Sequence, residues 1–470
     1  MNEAYCDVAI IGAGSAGLRA YKAARQHGAR ALLIEGARYG TTCASVGCMP
    51  SKLLIAAADA ADVARTAGVF GIHTGNIQVD GTAVMQRVRE ERDRFTGNVV
   101  RMTRQIPSED RLEGYARFEN DTTIVVGDHT RVHTRSTVIA TGSRAARLPL
   151  FDDLGDLVAV NDDVFSWQDL PDSVAVFGPG IIGLELGQAL HRLGVRIRMF
   201  GIQNLIGPLT DPEVKKHAER IFGDEFLLDT DARVESLRRE GSTVVVRFQE
   251  KSGRSDDSGP SEPRLLEEQY SVLLAATGRT PNTERLQLEN TSLELDDHGI
   301  PLYDPATMQC GDSPIFIAGD ATADVPLLHE AAAEGLIAGA NAARYPAVQA
   351  NTRHVPLSIV FTDPQIAMVG QPYHELPQEE IVIGELDWQS DPRARMMNTN
   401  QGLLRLYAEK SSGRLIGSEM IGPRAEHIAH QLAWALEQEM TVAQLLDLPY
   451  YHPVYEEGLR SALQSLAKQM

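Results

Sequence analysis

The sequence predicts an α/β protein with two separate parallel-sheet domains and a C-terminal α+β domain. Three observations carry this. A strand, a glycine turn, a helix and a second strand follow one another from residue 7, and the same order returns from residue 174. Strand patterns followed by amphipathic helices then fill the chain beyond residue 348. Finally, 470 residues exceed what one hydrophobic core supports, and a prior of about 150 residues per domain suggests three.

The first unit opens with an apolar run at 7–11. Small and apolar residues Ala16, Ala20, Ala23 and Ala24 then recur with helical spacing up to about His27, where Gly28 stops the helix. A second apolar run, 31–34, ends in Glu35. This is a βαβ unit, which implies a parallel sheet with a right-handed crossover. Strands are expected at 122–126 and 136–140. The second unit has a strand at 174–177, a helix over 181–193 stopped by Gly194, and a strand at 195–200. Residues 250–266 are polar and rich in glycine, proline and serine, and are expected to form a mobile hairpin tip. The last domain holds strand patterns at 356–369 and 403–421 and helices at 424–439 and 441–447.

Composition narrows the function. Apolar residues make up 43% and charged residues 23%, which excludes a disordered, collagenous or disulfide-dense chain. A net charge of −20, with no run of five Lys/Arg, opposes nucleic-acid binding. No 18-residue apolar run predicts a membrane span, and the N-terminus lacks the basic start of a signal peptide. The four cysteines, Cys6, Cys43, Cys48 and Cys310, are too few to staple a secreted scaffold of this size. A reducing, cytoplasmic location is therefore expected.

Four motifs carry chemistry. In Gly12-Ala13-Gly14-Ser15-Ala16-Gly17 the glycines let backbone amides and the positive helix end approach a pyrophosphate. Glu35, 23 residues past Gly12, is placed to bind ribose hydroxyls. The alternative is a tight turn with no ligand. Gly178-Pro179-Gly180-Ile181-Ile182-Gly183 repeats the context, so both domains read as Rossmann-like nucleotide-binding folds. The same count from Gly178 lands on Gly201, which is no acid. The nearest cations are Arg196 and Arg198, so NAD and NADP both stay open. Cys43 and Cys48 are five apart at the expected start of a helix, whose N-terminus lowers a thiolate pKa and favours disulfide exchange. Zinc would need a second ligand pair, and Cys6 and Cys310 are isolated; two unrelated buried cysteines are the other reading. Last, His452 with Glu457 five residues on can act as an oriented acid–base, or be a satisfied structural histidine. Together the motifs suggest an electron relay from a nicotinamide through a flavin and a disulfide to an external substrate.

At this point the chain resembles, over nearly its whole length, the pyridine nucleotide-disulfide oxidoreductases of the dihydrolipoamide dehydrogenase and glutathione reductase type. Gly40, Thr41, Thr42 and Cys43 through Lys52 resemble the family's redox-disulfide signature. The runs 139–143, 276–282, 315–320 and 361–370 resemble its later motifs, in the family's order. The resemblance implies a homodimer with an FAD domain at 1–150 and 281–347, an NAD(P) domain at 151–280 and a dimerisation domain at 348–470. It implies that Cys43 is the interchange thiol and Cys48 the flavin-side thiol. Lys52 would pair with Glu185 near the flavin, and His452, oriented by Glu457, would act in the partner's site. Gly12, Gly14, Gly17, Glu35, Lys52, Thr141, Gly142 and Asp320 would hold FAD, and Gly178, Gly180, Gly183 and Gly278 the region of the nicotinamide cofactor. The implied substrate is a dithiol or disulfide, small or lipoyl-borne. Dihydrolipoamide with NAD leads, which would make a 2-oxo acid dehydrogenase complex a partner. A glutathione-type reductase, a diaphorase or transhydrogenase, and a non-catalytic flavoprotein are the alternatives. A mercuric reductase would usually carry a further C-terminal cysteine pair, which the tail from Ser461 lacks. Three positions depart from the family: Thr41 stands for a glycine, Gly201 for an acid, and Tyr450 for a second histidine, with Tyr455 nearby.

Overall fold

A computed structural model describes residues 1–250 and 264–470 of the chain. Its residues divide into two units, one made of Met1–Pro50, Arg89–Ala146 and Arg279–Arg353, the other of Ser51–Val88, Arg147–Gly278 and His354–Met470.

The first unit is built on a seven-stranded sheet. Strand Asn2–Ile11 lies in its middle, parallel to Ala31–Glu35 on one side and to Thr130–Ile139 on the other. Strand Ile315–Ile317 joins the far side of Thr130–Ile139, also in parallel. Val8, Ala9 and Ile10 are fully buried, because a parallel sheet is covered on both faces and demands apolar residues at every position. Helix Ser15–Gln26 buries Ala16, Ala20, Ala23 and Ala24 and ends before Gly28, whose φ of 80° suits only glycine readily. It packs on helix Leu328–Arg344 at backbone distance. A Cβ at Gly335 would overlap the carbonyl of Ala16, and one at Gly339 that of Ala20. The expected strand at 7–11 begins earlier, at Asn2, because its first residues pair with 130–134. The expected strands at 122–126 and 136–140 are the two arms of an antiparallel hairpin, Thr123–Val126 and Thr130–Ile139.

The second unit contains a five-stranded parallel sheet. Its order is Leu227–Asp229, Arg196–Phe200, Ser173–Phe177, Val272–Ala275, Val158–Val160. Strand order reverses beside Ser173–Phe177, which is where such sheets bind ligands. Strands Arg233–Glu240, Thr243–Glu250 and Arg264–Tyr270 form an antiparallel sheet. Most of the expected hairpin tip, residues 251–263, lies outside the described residues.

The C-terminal part of this unit is a five-stranded antiparallel sheet. The patterns read as single stretches at 356–369 and 403–421 each resolve into two strands, Leu357–Val360 with Gln365–Gly370 and Leu403–Glu409 with Leu415–Gly422. Helices Ala425–Glu437 and Val442–Leu446 match the expected ones. Helix Glu456–Ala467 follows them and carries Glu457 in its first turn. A largely buried charge network ties this sheet to the start of helix Pro212–Glu225. Asp211 accepts from Arg405 at 2.8 Å and from the Tyr407 hydroxyl at 2.8 Å, and Glu419 accepts the N–H of Asp211 at 2.8 Å.

Candidate functional site

In the first unit the Gly12 turn is shaped by backbone contact. Gly12 has φ 110°, and a Cβ there would overlap the Ala140 carbonyl; a Cβ at Gly17 would overlap the carbonyl of Gly12. At Gly14 a Cβ would meet open space. That space belongs to a cavity of about 490 Å³ lined by Gly12, Gly14, Glu35, Thr141 and Gly142. The Glu35 carboxylate accepts the Ala13 N–H at 2.7 Å and the Ala37 N–H at 2.8 Å, so it braces the turn while bordering the cavity. Thr141 Oγ1 is buried and has no hydrogen-bond partner among the described residues. A glycine cradle, a bordering carboxylate and an orphaned hydroxyl together fit a dinucleotide.

Asp320 stands at the end of strand Ile315–Ile317. Its carboxylate accepts the Ser143 hydroxyl at 2.6 Å, and Arg279 reaches both the Ser143 hydroxyl, at 2.7 Å, and Asp320, at 3.6 Å. The preceding Gly319 donates its N–H to Glu334 at 2.7 Å. Glu334 is 1% exposed and pairs with Arg353 at 2.8 Å, which also pairs with Glu330. Burial pushes the Glu334 carboxyl up to about 6. Sequence reading did not find this brace, whose only local sign is a pair of carboxylates four apart in an otherwise small-residue helix.

The cysteines occupy two helical segments rather than the start of one. Cys43 lies in the single turn Thr42–Ser45, and Cys48 opens helix Cys48–Thr66. Cys43 is half-buried and Cys48 exposed. Thr41, Thr42, Ser45 and Val46 line the same cavity as Gly12 and Gly14. The turn carrying Cys43 therefore borders the dinucleotide space. Thr41 has φ 51° and ψ 145°, a region that side chains avoid. Its hydroxyl accepts the Ala44 N–H at 3.3 Å and its carbonyl accepts the Ser45 hydroxyl at 2.6 Å, which hold it there. Desolvation raises the other two thiols, half-buried Cys6 to about 11 and buried Cys310 to about 12.

In the second unit Lys52 Nζ lies 2.8 and 2.7 Å from the two oxygens of Glu185, which is 4% exposed. Glu185 also accepts the Phe361 N–H at 3.0 Å, and the Lys52 ammonium sits 4.4 Å above the Phe361 ring. Glu185 is on helix Ile181–Arg192, which follows a glycine turn built like the first. Gly178 has φ 102°, a Cβ at Gly183 would overlap the Gly178 carbonyl, and one at Gly180 would meet open space. Gly278, at φ 106°, ends the run that follows strand Val272–Ala275. His452 Nδ1 lies 3.0 Å from Glu457, which also accepts the Val454 N–H at 3.3 Å. The His452 contact, with help from that amide, holds the Glu457 carboxyl below its usual range. His452 is 73% exposed, and its pairing through Nδ1 leaves Nε2 for an external proton. Tyr450 donates to the Leu445 carbonyl at 3.2 Å, whereas Tyr451 is 81% exposed beside His452.

The family model described as pyridine nucleotide-disulphide oxidoreductase matches residues 6–335, and the dimerisation domain of the same family matches 356–463. A dihydrolipoyl dehydrogenase of Haloferax volcanii is 30% identical, covering 98% of this chain and 96% of its own. A mercuric reductase of Shigella flexneri is also 30% identical, covering 98% and 81%. Among solved structures, the HOCl-induced flavoprotein disulfide reductase RclA from Escherichia coli has the same fold. It superposes with a TM-score of 0.80 at 21% identity, covering 97% of this chain and 99% of that one.

Proposed function

Because the chain belongs to the pyridine nucleotide-disulphide oxidoreductase family, whose members bind FAD and NAD(P)H, we propose that it oxidises dihydrolipoamide with NAD(P) through a Cys43–Cys48 disulfide. The observation that carries this is the shared cavity: the Cys43 turn and the Gly12 cradle line one space. Bound FAD would supply the two-electron carrier between the disulfide and the nicotinamide.

The residues divide the work as follows. His452 Nε2 takes the proton from a substrate thiol, with Glu457 fixing the ring through Nδ1. The substrate thiolate attacks Cys43 Sγ, the Cys43–Cys48 bond breaks, and Cys48 leaves as a thiolate at a helix N-terminus that stabilises its charge. The second substrate thiol gives its proton to solvent, and its sulfur attacks the substrate-bound sulfur of the mixed disulfide, breaking its bond to Cys43 Sγ. This releases oxidised substrate and a Cys43 thiolate. The electron pair now resides on the dithiol. The Glu185 carboxylate holds the Lys52 ammonium in place through an ion pair at 2.7 Å.

The matched dimerisation domain supports a homodimer, and the exposure of His452 suits a residue that serves the Cys43 pair across the dimer. The domain limits we propose are 1–150 with 281–347 for FAD, 151–280 for the nicotinamide cofactor and 348–470 for the dimer contact. Among the described residues no helix is long and apolar enough to cross a membrane. With few cysteines, a cytoplasmic enzyme, with lipoyl domains of a 2-oxo acid dehydrogenase complex as the substrate carriers, is the reading we favour.

A second reading is a reductase of another disulfide. Exposed Tyr451 beside His452, with Tyr450 packed where the lipoamide enzymes usually carry a second histidine, favours it. Turnover of dihydrolipoamide, glutathione disulfide and a dye acceptor, each with NAD(H) and NADP(H), separates the readings. Replacing Cys48 with Ser should abolish disulfide turnover; retention of wild-type turnover by Cys48→Ser rejects the disulfide relay.

A further inference from the structure

We propose that Gln188 and Arg192 are positioning residues for the Lys52 ammonium: they clamp segment 361–363, whose Phe361 holds the Lys52–Glu185 pair, and through that pair they favour reduction of the flavin. This deepens the proposed function and rests on the reading that sets Lys52 beside the flavin.

Glu185, Gln188 and Arg192 stand at i, i+3 and i+7 on helix Ile181–Arg192, which puts them on one face. All three are buried. Each binds the same short segment. Phe361 donates its N–H to Glu185 at 3.0 Å. Asp363 donates its N–H to Gln188 Oε1 at 2.8 Å. The Asp363 carbonyl accepts from Gln188 Nε2 at 2.8 Å and from Arg192 Nη2 at 3.0 Å. Arg192 Nη1 lies 3.1 Å from the Asp363 carboxylate.

Neither clamping side chain has latitude. Gln188 Nε2 also donates to Glu225 at 2.7 Å, so the amide uses its oxygen and both hydrogens, and only one orientation of the two atoms satisfies the network. Arg192 Nε donates to the other oxygen of Glu225 at 2.6 Å. Arg192 Nη1 lies 3.6 Å from Asp59 and 3.8 Å from Asp62. Those two acids follow Lys52 at i+7 and i+10 on helix Cys48–Thr66, and Arg65 of that helix donates to the Arg192 carbonyl. The two helices are therefore tied at two levels, by Lys52 to Glu185 and by Asp59 and Asp62 to Arg192, and segment 361–363 is bonded to the helix face that joins those levels.

The position of Lys52 depends on this segment twice. The Phe361 ring lies 4.4 Å from the ammonium, and the Phe361 amide orients the carboxylate that pairs with it. A shift of the segment disturbs both contacts at once. An ammonium beside a flavin favours its electron-rich reduced form, by an attraction that falls with distance. Distance is what the clamp controls.

The test uses the FAD-loaded protein and reads the ratio of oxidised to reduced flavin in equilibrium with a reference dye of known potential. Lys52→Met should move that equilibrium towards oxidised flavin by about tenfold or more. Gln188→Met should move it the same way by about threefold. In the Lys52→Met background Gln188→Met should move it no further, because a residue that acts through Lys52 loses its effect with it. Arg192→Lys, which keeps a cation among the carboxylates and loses the planar fork, carries the same pair of measurements if Gln188→Met retains little flavin. Flavin content and Tm report that the variants fold. An unchanged equilibrium in both Gln188→Met and Arg192→Lys overturns the proposal, as does an equal shift with and without Lys52. An unchanged equilibrium in Lys52→Met overturns the placement of Lys52 at the flavin, which distinguishes that failure from a misassigned clamp.

Discussion

Thr41 stands where its backbone conformation suits glycine, and its hydroxyl and carbonyl compensate by capping the Cys43 turn. Two substitutions separate strain from cap. Thr41→Gly relieves about 1–3 kcal/mol of strain while losing about 1 kcal/mol of cap, so its stability should equal or exceed the parent. Thr41→Ala keeps the strain and loses the cap, and should be about 1 kcal/mol less stable. Urea unfolding measures the order. Glu334 gives a pH signature. Its carboxyl titrates at about 6 in the fold against an ordinary 4.5, so the folded state holds the extra proton between those values. Stability from this group is therefore full below 4.5 and falls by about 2 kcal/mol as pH rises through 6. Glu334→Gln should remove that fall, seen as the difference between the two proteins' unfolding free energies across pH 4 to 7. Thr41 was singled out from the sequence as standing for a glycine, whereas Glu334 escaped sequence reading for a physical reason. A polar residue that braces a distant amide has no local pattern until folding brings Gly319 to it. The glycines at 12, 14, 17, 178, 180 and 183 were legible because their spacing is a local pattern in the sequence, even where the crowding that demands them comes from Ala140 or Ala276 far along the chain.

At the scale of elements, the helix pair Ser15–Gln26 and Leu328–Arg344 makes the sharpest contrast. Gly335→Val would force a side chain onto the Ala16 carbonyl and separate two helices that meet at backbone distance. We expect a loss of about 3 kcal/mol or more, read as a fall in Tm, and weak flavin retention after purification. Gly14→Ala projects into the cavity instead. It should leave Tm of the flavin-free protein unchanged and lower the flavin content. Elements punctuated by glycine were read within a few residues. Those defined by partners far along the chain were not. Strand Asn2–Ile11 begins where Thr130–Ile139 can pair with it, and helix Gly81–Arg104 was not read from the sequence. The Cys43–Cys48 segment read as one helix start breaks in two because Gly47 packs against the Cys43 backbone, with a Cβ there only 3.2 Å from Cys43 Cα.

At the scale of the molecule, exposed His452 and the Cys43–Cys48 pair, proposed to meet only across a dimer, make inactivating lesions complementary. Cys48→Ser and His452→Gln homodimers should each be inactive. Mixed after mild dissociation, random pairing makes half the dimers hybrid, each with one intact site, and about a quarter of wild-type turnover should return. Absence of any recovery would place His452 in its own chain's site. The order of the two glycine-turn sheets and the C-terminal antiparallel sheet was legible because each announces itself by a local pattern. Which carboxylates hold the C-terminal sheet to helix Pro212–Glu225 was not, since Asp211 and Glu419 are single acids in unremarkable sequence.

The raised thiols of Cys6 and Cys310 have a practical corollary. With thiols near 11 and 12, only about one molecule in ten thousand carries either as a thiolate at neutral pH. An alkylating reagent applied to the native protein is therefore blind to half of its cysteines. The mass it adds counts only Cys43 and Cys48, so one spectrum before and after a reducing nucleotide reads the oxidation state of that pair against a silent background.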